Sequence, residues 1–113
     1  MKFLFLIAHD GTFAPTPKVL RDIHTWVEKA TASGLRLSGA PLVPASQGRT
    51  VRIRDKAAKV TSGPFSKSRE QVCAYELVDC ETLDAAIEAA KSHPMAAVAT
   101  IEVRPVWEAL AVG

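Results

Sequence analysis

Thr61-Ser62-Gly63-Pro64-Phe65-Ser66-Lys67-Ser68-Arg69-Glu70-Gln71 separates two stretches of alternating sequence. Gly63-Pro64 fixes a turn, because glycine tolerates positive φ and proline presets its own. Phe65 is the one large apolar side chain here, so it is expected to anchor the turn to the core or to a dimer partner. Upstream, Thr50-Val51-Arg52-Ile53-Arg54 alternates, and Lys59-Val60-Thr61 can return against it. Asp55 to Ala58 would then be the connection of a hairpin. Downstream, Gln71 to Val78 alternates again, with Val72, Ala74 and Leu77 marking a strand.

The pattern extends to both ends. Lys2 to Ala8 is almost continuously apolar, which predicts a central strand covered on both faces. His9-Asp10-Gly11 ends it, and Thr12 to Pro17 is a proline-rich loop. Lys18 to Ala32 predicts a helix, with Val19, Ile23, Trp26, Val27 and Ala30 in one stripe. Thr16 is placed to cap it, Pro17 to start it and Gly34 to close it. Leu35 to Leu42 predicts a second strand, where Gly39 and Pro41 suggest a bulge or an early end. Thr82 to Ser92 predicts a second helix, with Leu83, Ala86, Ile87 and Ala90 on one face. His93-Pro94 ends that helix, His93 serving its C-terminal dipole. Ala97 to Val106 predicts the last strand. The order is that of a ferredoxin-like βαββαβ unit, an α+β fold, with a hairpin inserted. Two helices on one face leave the other sheet face bare, which predicts a homodimer.

A chain of 113 residues is expected to be one domain, residues 1–113. The formal net charge of +2 argues against a nucleic-acid partner or a polybasic membrane patch. Phe3 to Ala8 is too short for a membrane span or a signal segment, so no membrane role and a cytoplasmic location are expected. Cys73 and Cys80 lack metal or redox spacing, and Cys73 is expected to be a buried hydrophobe. The three histidines are scattered, so no metal is expected. No phosphate-cradling glycine loop or nucleophile elbow occurs, and no cofactor is expected.

Several stretches together resemble a known family: Ser62-Gly63-Pro64-Phe65 with Arg69-Glu70-Gln71, Gly39-Ala40-Pro41-Leu42, Thr50-Val51-Arg52, Leu83-Asp84-Ala85-Ala86 with His93-Pro94, and Glu102-Val103-Arg104-Pro105. Over nearly its whole length the chain resembles the DGPF branch of the YCII-related proteins. Ser62 stands where that branch usually has Asp, so no carboxylate is available at this point of the loop. Cys73-Ala74-Tyr75 also departs from the family's small, glycine-containing sequence. The resemblance implies a dimeric α+β barrel, in which two sheets pack face to face. It implies a small acid-base enzyme of lyase, isomerase or dehalogenase type, acting on a small organic molecule in a cleft of the dimer. The alternative it implies is a non-catalytic ligand-binding or regulatory protein linked to sigma-factor signalling. Some members carry a helix-one His paired with an acidic residue, and His24 is compatible with that His.

At 100° per residue, His24 falls on the shoulder of the apolar stripe beside Leu20, where it could face a cleft. An imidazole oriented by a carboxylate is a usable general base near neutral pH. Glu102 or Asp10 would orient it. Glu102 faces away from Ile101 and Val103, and could instead pair with Arg104 or Arg52. Arg52 and Arg54 share a strand face. Arg52 or Arg104 would hold an anionic group of the ligand, and Phe65, if exposed, would contact it.

Overall fold

Phe3, Phe5 and Ile7 alternate with Leu4, Leu6 and Ala8, and that alternation divides the sheet into two faces. In the computed structural model, which describes residues 1–111, β1 (Lys2–His9) lies at the centre of a four-stranded sheet. The other strands of that sheet are β2 (Arg36–Pro41), β5 (Gln71–Asp79) and β6 (Thr100–Pro105), in the order β2-β5-β1-β6, and every neighbour is antiparallel. Two helices, α1 (Pro17–Ala32) and α2 (Leu83–Ser92), supply Trp26, Ala30, Ala86 and Ala90 to a core with Phe3, Phe5 and Val78. Phe3, Phe5 and Val78 are fully buried. Each such side chain stabilises the fold by about 1.5–3 kcal/mol relative to exposure. The strands β3 (Arg49–Arg54) and β4 (Ala57–Ser62) form a separate two-stranded hairpin. Set that hairpin aside and the ferredoxin-like βαββαβ order remains, an α+β fold as expected from the sequence.

Local chemistry fixes the helix starts. Thr16 Oγ1 accepts from the Val19 N–H at 3.2 Å, with Pro17 as the first helical residue. Thr82 Oγ1 accepts from the Ala85 N–H at 3.1 Å. Each cap satisfies one otherwise orphaned donor. Gly34, at φ +82°, follows α1 as expected.

Other expectations need correction. The hairpin turn is the two residues Asp55 and Lys56, at φ 50° and 66°, rather than Asp55 to Ala58. Both strands are correspondingly longer than predicted, since a tight turn with two left-handed residues matches the twist of a ladder. The second strand runs through Gly39 to Pro41, and its irregularity falls between Arg36 and Ser38. Gly39 is needed for space: a Cβ there would sit 2.7 Å from the Tyr75 carbonyl oxygen and 2.7 Å from Glu76 Cδ. A 3-10 turn, Pro94–Ala97, precedes β6, which starts at Thr100 rather than Ala97. Phe65 is 79% exposed and anchors nothing in its own chain. Cys73 is half-buried, not buried.

His93 also differs from its expected role. It is 2% exposed, and its ring centroid lies 4.5 Å from that of Trp26. Its Nδ1 accepts from the Met95 N–H at 3.1 Å. Burial, and then the positive charge of Arg36, push its pKa down to about 4. A neutral ring offers a helix C-terminus no cation.

The central strand is covered on one face only. Leu4 pairs with Leu77 and Leu6 with Tyr75 on the helix-free face, where all four are half-buried. Glu102 and Arg104 flank them on β6.

Candidate functional site

At the end of β1 the ladder with β5 slips by one residue. Ile7 pairs with Ala74 but Ala8 pairs with Val72, so Cys73 is the extra residue of a bulge. Bulges re-aim side chains, and this one borders a hollow. The Leu42 N–H donates to the Cys73 carbonyl at 2.8 Å and brings the segment after β2 alongside. The result is a cavity of about 310 Å³. Leu42, Val43, Pro44 and Val72 give it an apolar wall, and His9, Asp10, Arg69 and Gln71 give it a polar end. A second hollow of about 220 Å³ shares His9 and Asp10 and adds Glu70 and Thr100.

Each polar residue is held by its neighbours. His9 Nδ1 accepts from the Gly11 N–H at 3.1 Å, so the neutral ring carries its proton on Nε2. Its ring lies 5.6 Å from Phe13. The Asp10 carboxylate accepts from Thr12 Oγ1 at 2.6 Å and from the Thr12 N–H at 3.0 Å. Those bonds, with a smaller contribution from the Arg69 charge, hold its pKa below the ordinary carboxylate value. Gln71 Nε2 donates to the Ser66 and Ser68 carbonyls, both at 2.8 Å, and shapes the loop that carries Arg69. Ser66 and Ser68 each accept from a backbone N–H two residues on, at 3.2 Å. Among the described residues, no carboxylate lies within ion-pair distance of Arg69. The polar end therefore offers a guanidinium, an imidazole N–H and an ionised carboxylate beside an apolar wall.

The residues predicted from sequence are scattered. His24 is 75% exposed on α1, with Nε2 3.0 Å from Glu28 Oε1. Glu102 accepts from Arg104 Nε at 2.6 Å on the helix-free face, two residues along the same strand. The sheet therefore separates His24 from Glu102. Of the three proposed catalytic residues only Asp10 lines the cavity. Arg52 and Phe65 do come together, on a shallow hollow beside β3. Arg104 is not part of either.

His9 and Arg69 were missed. Both stand next to residues that the sequence reading had noted, in His9-Asp10-Gly11 and in the loop after Phe65. Only the pairing of His9 with Gln71 across β1 and β5 shows that they meet. Also missed was a buried ion pair between Arg36 Nε and Glu76 Oε2. Burial raises the Glu76 pKa, and the hydrogen bond and charge of Arg36 oppose it.

Comparison with known proteins identifies the chain's relatives. A match to the YCII-related domain runs over residues 1–109. The chain belongs to the YCII-related domain family. An uncharacterised protein of Rhizobium meliloti (strain 1021) is 32% identical to it over 90 residues, which span 78% of this chain and 73% of that protein. No helix among the described residues of this YCII-related chain is long and apolar enough to cross a membrane.

Proposed function

We propose that this YCII-related protein is a cytoplasmic homodimer that binds a small organic molecule with an anionic end in the 310 Å³ cavity at the end of β1. One observation carries the reading: Arg69 reaches a largely apolar cavity, and no carboxylate of the described residues lies within ion-pair distance of it. A guanidinium binds a carboxylate through two parallel hydrogen bonds, and His9 Nε2–H is a further donor. Asp10 would accept from a hydroxyl or amine beside that group. A cavity near the lower end of the usual 300–1,000 Å³ range suits a small ligand. Glu102 and Arg104, on the face a second sheet would cover, would line the cleft of such a dimer.

Benzoate and benzyl alcohol, compared by amide NMR titration, test this. Benzoate is expected to shift the His9, Arg69 and Val72 signals, and Arg69→Met to weaken that response about tenfold or more. Equal responses to both compounds, or shifts confined to another surface, would refute it.

The imidazole of His9 beside the charged Asp10 carboxylate supports a second reading, an acid-base enzyme of lyase, isomerase or dehalogenase type. Nε2 would accept a proton from the ligand in the tautomer that carries the ring proton on Nδ1, which releases the Gly11 N–H. Deuterium wash-in at the methylene of phenylacetate in D₂O, lost in His9→Gln, is its expected signature. A binder would show binding and no exchange.

A further inference from the structure

The β3–β4 hairpin stands apart from the rest of the chain. Every residue of its two strands except Thr50 and Thr61 is exposed. At its base the Gly63 N–H donates to the Gly48 carbonyl at 2.8 Å and Thr50 Oγ1 donates to the Gly63 carbonyl at 2.9 Å. Beyond that base no other element among the described residues packs extensively on it. A lone two-stranded hairpin is marginal in water. An arm of six residues in each strand therefore requires a cover.

Its two faces specify that cover. On one, Val51 pairs with Val60 and Ile53 with Ala58, and Val51, Ile53 and Val60 are 62–64% exposed. On the other, Arg52 lies directly opposite Lys59, with Arg54 beside them. Like charges opposite one another destabilise a strand pair unless an anion comes between them. Residues 49–62 carry five Lys or Arg against Asp55 alone, so the arm has a formal charge of +4 and the rest of the chain −2. A nucleic acid would meet the basic row and leave the apolar row in water. An apolar protein surface covers the Val51–Ile53–Val60 row and leaves the charged row, on the opposite face, in water.

The remainder of this chain has such a surface. Its helix-free face presents Leu4, Leu6, Tyr75 and Leu77. Four strands about 4.8 Å apart and about 20 Å long give a footprint of roughly 400 Å², half of the roughly 800 Å² per partner in a standard interface. The arm adds roughly 200 Å² on each face by the same measure.

We infer that the β3–β4 hairpin is a clamp that lays its Val51–Ile53–Val60 row on a second copy of this chain and leaves Arg52 and Arg54, on the opposite face, in solvent. Two-fold symmetry lets each copy give one arm and receive one. The inference rests on the homodimer reading and adds the arm to it.

Light scattering and sedimentation of the full chain and of the Ile53→Asp/Val60→Asp variant test it. Both side chains are exposed in the single chain, so the variant should keep its circular dichroism spectrum. The expected result is a wild-type dimer and at least a hundredfold weaker dimerisation of the variant. If both dimerise equally, the clamp is wrong and the sheet-face dimer stands. A wild type that stays monomeric at 100 µM overturns both. A monomer that retains a 20-base-pair DNA duplex assigns the basic row to nucleic acid instead.

Discussion

Ile7 and Ile53 are the same residue in the same kind of alternating strand, yet one is 1% exposed and the other 64%. Ile7 belongs to the four-stranded body, where two helices close over one sheet face. Ile53 belongs to the hairpin, where no element among the described residues covers either face. Alternation reports that a strand has an apolar side. It does not report which molecule supplies the cover. The body closes one face of its sheet within one chain, and the arm is left open on both faces.

The largest expected difference between the two regions is in stability. Phe5→Ala should cost about 3–5 kcal/mol in urea melts, since a fully buried ring is lost. A loss below about 1 kcal/mol would mean the body is not packed as described. Arg36→Met should cost about 3 kcal/mol, because the Glu76 carboxylate would lose its only ion-pair partner among the described residues while buried in the helix layer. Arg36→Met/Glu76→Leu should recover most of that loss. If the double variant is no better than the single, the pair is not what holds the two side chains there.

Acid should separate the regions too. The unfolded His93 ring takes a proton below pH 6.5, but the folded ring refuses it until about pH 4. Stability is therefore whole above pH 6.5 and falls between 6.5 and 4, by up to about 3 kcal/mol. Glu76, whose pKa is raised, works in the opposite direction, because the folded carboxyl accepts its proton more readily. Comparing wild type with His93→Phe across that window removes the Glu76 contribution. A difference that does not vary with pH would show that His93 is not buried in its neutral form.

Smaller effects complete the contrast. Thr16→Ala should lower stability by about 1 kcal/mol through loss of the α1 cap, measurable in the same melts. No change would place the start of α1 elsewhere. Ile53→Ala, measured in dilute monomeric protein, should stay within about 0.5 kcal/mol of wild type. A larger cost there would mean the arm is covered by its own chain after all.

Much of the body was legible in the sequence because its signals are local. Thr16-Pro17 and Thr82 mark helix starts by short-range hydrogen bonding, and Phe3, Phe5 and Ile7 mark a strand by period. The hairpin was legible as a hairpin, but its turn was not. Asp55 and Lys56 both adopt positive φ without glycine, so the usual marker is missing. The site was least legible. Asp10 was noted, but His9 and Arg69 are sixty residues apart and meet only through the pairing of β1 with β5. His24 was expected in a cleft from its angle on the helix wheel. A wheel cannot show that the shoulder of this helix faces solvent and that Glu28 lies one turn away. Nor could it show that Arg36, His93 and Glu76 share the interior, since each comes from a different element.

The bulge at Cys73 has a consequence for length variation. Strict alternation would turn Val72 and Cys73 to opposite faces, yet both line the same cavity. The fifth strand therefore carries one residue more than its partner needs, and the surplus is used as wall. Removing that residue would leave Ile7 opposite Ala74 and Ala8 opposite Val72, with the core in register and the cavity reshaped. Among relatives, a single-residue gap at this point would mark a change of ligand without a change of fold, and an alignment that smooths the gap away would hide it.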